Sequence, residues 1–257
     1  MVSESTTGAA APALRLQGVG RRFGALQAMR DVDLEVPQGE RRAILGPNGA
    51  GKTTLFNVVA GDYPPTSGHV FLFGEDVTRV PAQLRTRRGL GRTYQNVLLF
   101  GGLSVADNLY LAVRGVQPRR LSVLRAGAGD RHRTRATELA ATIGLAAVTG
   151  TPVSQLAHGQ LRQLELGMAL ASDPRLLLLD EPAAGLSPGE RQSLIRLLAE
   201  LPRSITVVLI EHDMDVALAA ADRVTVMHNG RVIAEGTPAE IQANQTVHDI
   251  YLGHHVA

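Results

Sequence analysis

Residues 44–55, Ile-Leu-Gly-Pro-Asn-Gly-Ala-Gly-Lys-Thr-Thr-Leu, constrain this chain more than any other stretch. Gly46 to Thr53 fit the spacing G-x-x-x-x-G-K-[ST] of a phosphate-binding P-loop. Apolar Ala43, Ile44 and Leu45 read as the end of a buried strand, and residues 54–60 read as the start of a helix. Glycines at Gly46, Gly49 and Gly51 let the backbone turn tightly enough for successive N–H groups to face an anion. The helix that follows adds the positive end of its dipole. On this reading Pro47, Asn48 and Ala50 complete the loop, Lys52 reaches the β- and γ-phosphates of a nucleotide, and Thr53 ligates Mg²⁺. Composition makes a separate point. Of the 26 lysines and arginines only one is a lysine, and it is Lys52. A planar guanidinium is a poor substitute for the compact ammonium such a loop is shaped around.

The 257 residues form one large domain or two small ones. A hydrophobic content of 44% supplies a sizeable core. The formal net charge is +2 and the arginines form no long block, so charge does not imply a nucleic-acid partner. There are no cysteines, which excludes disulfides, thiolate metal sites and cysteine nucleophiles. No apolar run reaches the length of a membrane span. Residues 1–13 lack the basic start and apolar centre of a signal peptide and are expected to be a disordered tail.

Strands are expected at Leu14–Val19 and Ala28–Val36, with Arg21-Arg22-Phe23-Gly24 as the turn between them. Two strands ahead of the P-loop strand indicate a β subdomain beside a nucleotide-binding core. Further strands are expected at His69–Phe73, Leu176–Glu181, Ile205–Ile210, Arg223–His228 and Arg231–Ala234, the last two joined by an Asn229-Gly230 hairpin. Helices are expected at Pro81–Arg88, Val105–Val113 with Ser104 as N-cap, Arg131–Ile143, Gln160–Ser172, Pro188–Leu201 and Met214–Ala221, with two short ones near the end. Residues 96–159 carry little strand signal and read as a helical insertion. Alternating strands and helices, with polar residues at strand C-terminal ends, imply an α/β sheet whose ligand sits at that edge.

Asp180 and Glu181 end the run Leu176-Leu177-Leu178-Leu179. An apolar strand delivering an Asp beside a P-loop is the Walker B arrangement. Its Asp holds Mg²⁺ directly or through water, and the adjacent Glu serves as general base towards an attacking water. His212 ends the next apolar strand, where it could donate to a γ-phosphate or simply be a surface histidine. Gln95, at another strand end, is placed to touch Mg²⁺ or the water, and Phe23 is a candidate to stack on a purine. Leu156-Ala157-His158-Gly159-Gln160 opens a helix whose backbone N–H groups could bind an anion.

The order aromatic, P-loop, Gln, LAHGQ, LLLLDE, His resembles the ATP-binding subunits of ABC transporters over about Leu14 to Gly253. The finer pattern is similar to the branched-chain amino acid importer type. It is carried by residues 91–97 (Gly-Arg-Thr-Tyr-Gln-Asn-Val), Leu99-Phe100, Leu103-Ser104-Val105, Asp107-Asn108-Leu109, residues 180–188, Ile210-Glu211-His212-Asp213-Met214 and Tyr251-Leu252-Gly253. Urea and amide importers and the lipopolysaccharide export ATPase look alike in these segments.

The resemblance implies an α/β fold, a P-loop (RecA-like) ATPase core over residues 14–253 with an N-terminal antiparallel β subdomain and an inserted helical subdomain. Two ATP-binding subunits would pack head to tail, each ATP lying between one P-loop and the partner's LAHGQ helix. Gly49, Gly51, Lys52, Thr53 and Thr54 would hold phosphates and Mg²⁺, with Asp180 and Gln95 completing the metal shell. Glu181 would activate water, His212 would stabilise the γ-phosphate, Phe23 would stack on adenine, and Gly159 and Gln160 would act across the dimer. Residues 96–110 would grip a helix of an integral-membrane permease subunit, and a solute-binding protein would be an indirect partner. The chain would then sit peripherally on the cytoplasmic face of the inner membrane. The pattern departs at Ala157 and His158, where Ser and Gly are usual, and at Ser187, where many members carry Asp. The alternatives are an ABC exporter ATPase and a soluble, non-transport ABC protein. The latter usually carries a tandem cassette, a long coiled coil, zinc-binding cysteines or basic arms, none of which the sequence contains.

Overall fold

A computed structural model describes residues 10–93, 99–115 and 130–252. The architecture is two sheets with helices packed around them. The first sheet holds β1 (Leu14–Phe23), β2 (Leu26–Val36), β4 (Ser67–Leu72) and β5 (Glu75–Asp76), all antiparallel, in the order β2-β1-β4-β5. The second holds β3 (Arg41–Leu45), β6 (Leu90–Arg92), β7 (Leu176–Asp180), β8 (Thr206–Glu211), β9 (Arg223–His228) and β10 (Arg231–Gly236), in the order β10-β9-β3-β8-β7-β6. Every pairing in it is parallel except the β9–β10 hairpin.

Residues Arg21 to Phe23 differ from the turn expected for them. β1 runs on to Phe23, and the turn is left to Gly24 and Ala25. Register shifts at Val19 and Arg21 let the strand continue through a stretch whose side-chain alternation is broken. The packed chain also starts before Leu14. Ala13 is buried, its N–H donates to the Val36 carbonyl at 2.9 Å, and its carbonyl accepts from Phe73 N at 3.2 Å.

The central strands β3, β7 and β8 are buried on both faces, as parallel sheets require. Alternation then sorts their side chains into two cores. Ala43, Leu45, Leu177, Leu179, Val207 and Leu209 join one, while Ile44, Leu176, Leu178, Val208 and Ile210 join the other. The second core also takes Leu55, Phe56 and Val59 from α1 (Lys52–Ala60) and Leu14, Leu16, Val32 and Leu34 from the antiparallel sheet. The first takes Leu164 and Leu170 of α5 (His158–Leu170), Leu194 and Leu197 of α6 (Pro188–Glu200), and Val216 and Ala217 of α7 (Met214–Ala220). α5 begins two residues earlier than its apolar spacing suggested, because His158 and Gly159 already have helical geometry.

The inserted segment is helical. α3 (Val105–Gly115) and α4 (Arg131–Thr142) pack on each other and on α5 through Leu109, Val113, Leu139, Ala140 and Ile143. Ser104 caps α3 as expected, its hydroxyl accepting from Asp107 N at 3.1 Å. The remaining helices are α2 (Ala82–Arg87), α8 (Pro238–Gln242) and α9 (Gln245–Leu252). No described helix is long and apolar enough to cross a membrane.

Two buried arginines tie helix ends to this frame. The last four carbonyls of a helix have no partner within it. Arg85, 1% exposed, donates to Val58 O (2.8 Å) and Val59 O (2.7 Å) at the end of α1, and to Val80 O (2.8 Å). Arg41 does the same for α6, donating to Leu198 O, Ala199 O and Leu201 O. Burial pushes the Arg85 pKa down to about 10, with Asp62 and Asp76 pulling it back, so it stays charged at neutral pH.

Arg85→Met removes the donors to Val59 O and Val80 O, and leaves Val58 O with the Gly61 N–H alone. It is expected to lower the unfolding free energy by about 3 kcal/mol. Arg88→Met, which removes an exposed bond to Glu75 (2.7 Å), should stay within about 0.5 kcal/mol of the parent. Urea denaturation of the two variants side by side checks both.

Candidate nucleotide site

The C-terminal ends of the parallel strands gather the candidate residues. β3 ends at Leu45 and runs into the loop Gly46–Gly51, from which Lys52 opens α1. Gly51 has φ 100°, and a Cβ there would lie 2.8 Å from Ala28 O. Gly46 is closed in as well, since a Cβ would meet Met227 O at 2.3 Å. The loop is thus wedged against β2 and β9, and only glycine fits at these two points. Ala50 O accepts from Gly230 N at 3.0 Å, so the β9–β10 turn braces it. Asn48, Gly49 and Thr53 are exposed and Thr54 is half-buried.

Lys52 is 5% exposed, and its ammonium donates to Gly46 O at 2.6 Å and Pro47 O at 3.1 Å. Burial pushes its pKa down, while Glu181, Asp180 and Glu211 pull it back up. Asp180 is the final residue of β7. Its Oδ2 lies 3.6 Å from the Arg92 guanidinium, and its Oδ1 is buried with no hydrogen-bond partner among the described residues. Burial raises its pKa, Arg92 opposes that, and Glu181 adds to the rise. Glu181 stands just past the strand in the left-handed region, φ 47°. Its carboxylate is 3.8 Å from His212 Nδ1, in a pair open to solvent on the His side.

The structure therefore brings together Lys52, Asp180, Glu181 and His212. It puts Phe23 elsewhere, at the rim of the antiparallel sheet, 39% exposed, with its ring edge-on to Tyr63 at 5.6 Å and the Arg21 guanidinium 4.5 Å over its face. Gly159 and Gln160 form a third place. Gly159 N donates to Glu190 Oε1 at 3.1 Å, and Gln160 Oε1 accepts from Ala157 N at 3.0 Å. Gln95 lies outside the described residues.

Sequence reasoning passed over three participants. Arg92 bridges Asp62 (2.5 Å), Asn57 (2.7 Å) and Asp180, and its place just before Thr93 in the run 91–97 was the signal. Tyr63 was findable as one of only nine Phe and Tyr residues, directly after the P-loop helix. Glu211 was hidden, because a carboxyl beside His212 at a strand end looks like surface. It is wholly buried, and burial, assisted by the nearby Glu181 and Asp213 carboxylates, pushes its pKa up to about 7 against the opposing hydrogen bond from Ala183 N.

Asp180, paired with Arg92, and Glu181 and Glu211 thus line the site around one ammonium, and a polyphosphate brings further negative charge to it. A divalent cation resolves this, and the orphaned Oδ1 of Asp180 is an oxygen donor of the hard type Mg²⁺ takes. No group of three or more potential protein ligands occurs among the described residues.

Glu211 also gives a pH signature. Its folded pKa lies above the ordinary value of 4.5, so the folded chain holds this proton more tightly than the unfolded one. The contribution is complete below about pH 4 and disappears as pH rises through 7, a loss of about 3 kcal/mol. Urea unfolding at pH 4.5 and pH 8 should show the stability of Glu211→Gln rising by about that amount relative to the parent over this interval.

Comparison with known proteins places the sequence and the fold. Residues 29–184 match the family described as ABC transporter, and residues 231–257 match that of the branched-chain amino acid ATP-binding cassette transporter. The high-affinity branched-chain amino acid transport ATP-binding protein BraF of Pseudomonas aeruginosa is 39% identical over 94% of this chain and 98% of its own. LivG of Escherichia coli, of the same description, is also 39% identical with the same coverage. Among solved structures, the ADP conformation of MJ1267, an ATP-binding cassette of an ABC transporter, aligns with a TM-score of 0.84 at 28% identity, over 94% of this chain and 99% of that one. A dimeric post-hydrolysis state of the cassette MJ0796, bound to ADP and Pi, aligns at 0.72 with 26% identity, over 88% and 98%. With its P-loop core, antiparallel β subdomain and inserted helices, the chain belongs to the ATP-binding family of ABC transporters, nucleotide-binding ATPases coupled to transport, in the branched-chain amino acid cassette group.

Proposed function

We propose that this chain is the ATP-hydrolysing, energy-coupling subunit of an importer for branched-chain amino acids or similar small polar solutes such as amides and urea. The observation that carries the hydrolytic part is the convergence of Lys52, Asp180, Glu181 and His212 on one sheet edge. The solute class is supported by the likeness to LivG and BraF along nearly the whole chain and by the C-terminal match.

In this reading the loop Gly46-Pro47-Asn48-Gly49-Ala50-Gly51 turns its N–H groups to the phosphates. Lys52 exchanges its two loop carbonyls for phosphate oxygens, and the Thr54 hydroxyl adds a donor. Asp180, Thr53 and Gln95 hold Mg²⁺, which when bound screens charge on the β- and γ-phosphates. Glu181 takes a proton from the attacking water, and His212, held by that same carboxylate, faces the γ-phosphate. Phe23 offers the adenine the ring face that Arg21 leaves open. Gly159 and Gln160 serve the nucleotide of a second ATP-binding subunit. Partial support for such pairing is the dimeric assembly of the related cassette MJ0796.

Contact with permease subunits would hold the chain on the cytoplasmic face of the inner membrane. Residues 96–110 are the proposed docking segment, of which 96–98 lie outside the described residues, and Phe100 (53%) and Leu103 (38%) are exposed apolar side chains in the rest.

Glu181→Gln is expected to bind ATP with near-parental affinity, to lose at least two orders of magnitude in turnover, and to accumulate as an ATP-bound dimer on size exclusion. Turnover near the parental rate rejects Glu181 as base. Affinity capture of the full chain from membranes of its own cells tests the transport reading. Two multi-span permeases, with a second ATPase or none, support it. Recovery of export machinery, ribosomes or no membrane protein rejects the importer and leaves the ATPase.

A further inference from the structure

Glu211 has no part in the mechanism so far, yet it is fully buried beside the catalytic turn. It is the last residue of β8 and pairs in register with Leu45, the last residue before the P-loop. Its Oε1 accepts from Ala183 N at 3.1 Å, and its Oε2 has no hydrogen-bond partner among the described residues. The preceding residue acts on the same turn, since Ile210 O accepts from Glu181 N at 3.1 Å. Two consecutive residues of β8 therefore hold the backbone on either side of Pro182. Between those two holds, Glu181 stays at φ 47°, a conformation that a β-carbon disfavours and that persists only where the surroundings enforce it. A further bond, Ala184 N to Glu181 O at 3.1 Å, closes the turn.

From this geometry we infer that Glu211 is a positioning residue for ATP hydrolysis, its carboxyl fixing the Glu181–Ala183 turn and with it the direction of the Glu181 carboxylate. The inference rests on the reading of Glu181 as general base. The titratable groups around Glu211 are Lys52 from α1, Glu181 from the turn after β7, and His212 and Asp213 from the segment leading into α7. Of these, Lys52 offsets a negative charge at Glu211, while Glu181 and Asp213 oppose it. With Glu181 ionised for catalysis and a nucleotide bringing further negative charge, the protonated carboxyl is the form that keeps both the Ala183 bond and the local charge balance. Burial has already moved its titration to about pH 7.

The test compares full-length parent, Glu211→Gln, Glu211→Asp and Glu211→Leu, with Glu181→Gln alongside. ATPase kcat and KM and the Kd of a fluorescent ATP analogue are measured from pH 6.5 to 8.5. Glu211→Leu removes the acceptor and should lower kcat at least ten-fold with Kd changed less than two-fold. Glu211→Asp, which folds as an acid but withdraws the acceptor by one methylene, should also lower kcat. Glu211→Gln keeps the acceptor in a neutral group and should recover at least half the parental kcat at pH 6.5. The ratio of its kcat/KM to that of the parent should rise as pH climbs to 8.5.

Unchanged kcat in Glu211→Leu and Glu211→Asp overturns the inference, as does a Glu211→Gln as inactive as Glu211→Leu. A parallel loss of kcat and nucleotide binding overturns it too, because that marks a purely structural role. Parental turnover in Glu181→Gln separately rejects the assignment of the base, whatever the Glu211 variants do.

Discussion

The parallel pairing of β3 with β8 is the constraint on which the site depends. Its register sets Leu45 opposite Glu211, so the P-loop and the segment bearing His212 leave the sheet at one level. On its other side β8 pairs with β7, setting Asp180 opposite Ile210, one residue short of Glu211. A slip of one residue in either pairing would invert every side chain of these strands between the two cores. Ile44 and Ile210 would leave the core shared with the antiparallel sheet, and Leu45 and Leu209 the one shared with α5 to α7. The hydrophobic pattern that builds the fold therefore also fixes the spacing of the chemical groups, and no loop has to find it.

Charge is handled by the same frame in two ways. Where many carbonyls need donors, arginine is used. Arg41 satisfies three at the end of α6, and Arg85 two at the end of α1 together with Val80 O, a spread that an ammonium on a flexible stem could not span. Where a single compact charge must move between loop carbonyls and a ligand, the chain keeps its one lysine. Lys52 sits at the positive end of α1, and with Arg92 it meets the three carboxyl groups of Asp180, Glu181 and Glu211. That imbalance is costly without a cation, and it is consistent with a site whose affinity for nucleotide depends on a divalent ion.

The α/β class, the strand that leads into the P-loop and the acidic strand end were legible because each is written in local pattern. Four leucines followed by Asp180 and Glu181 admit only a buried strand with a polar end. The extent of β1 was not legible, because Arg21 and Arg22 break its alternation and register shifts absorb the break. Arg92 and Glu211 were not legible for a different reason. Their importance comes from neighbours remote in the chain, Asp62 and Asp180 for one and Ala183 and Leu45 for the other. Nothing in a single strand's sequence separates a buried carboxyl at its end from an exposed one.

The departures at Ala157, His158 and Ser187 follow the same logic of remote partners. Ala157 has no hydroxyl with which to cap α5, so the first N–H groups of that helix would be orphaned. Gln160 covers Ala157 N from within the helix, and Glu190 covers Gly159 N from α6. Glu190 can do this because its other oxygen is fixed by Ser187, whose N–H and hydroxyl both donate to it at 2.8 and 2.7 Å. Those bonds, with Gly159 N and the nearby His158, hold the Glu190 carboxyl below its ordinary pKa and keep it ionised, the form that best satisfies a helix N-terminus. Gly159 must be glycine for this contact, since a Cβ would stand 2.5 Å from the Glu190 oxygen. Ser187 is therefore part of the cap of two helices at once, and the start of α5 and the start of α6 form one hydrogen-bonded unit. Replacing the serine by the more usual acid would put a second carboxylate against Glu190 and undo the arrangement, so the substitutions at 157 and 187 make physical sense only together.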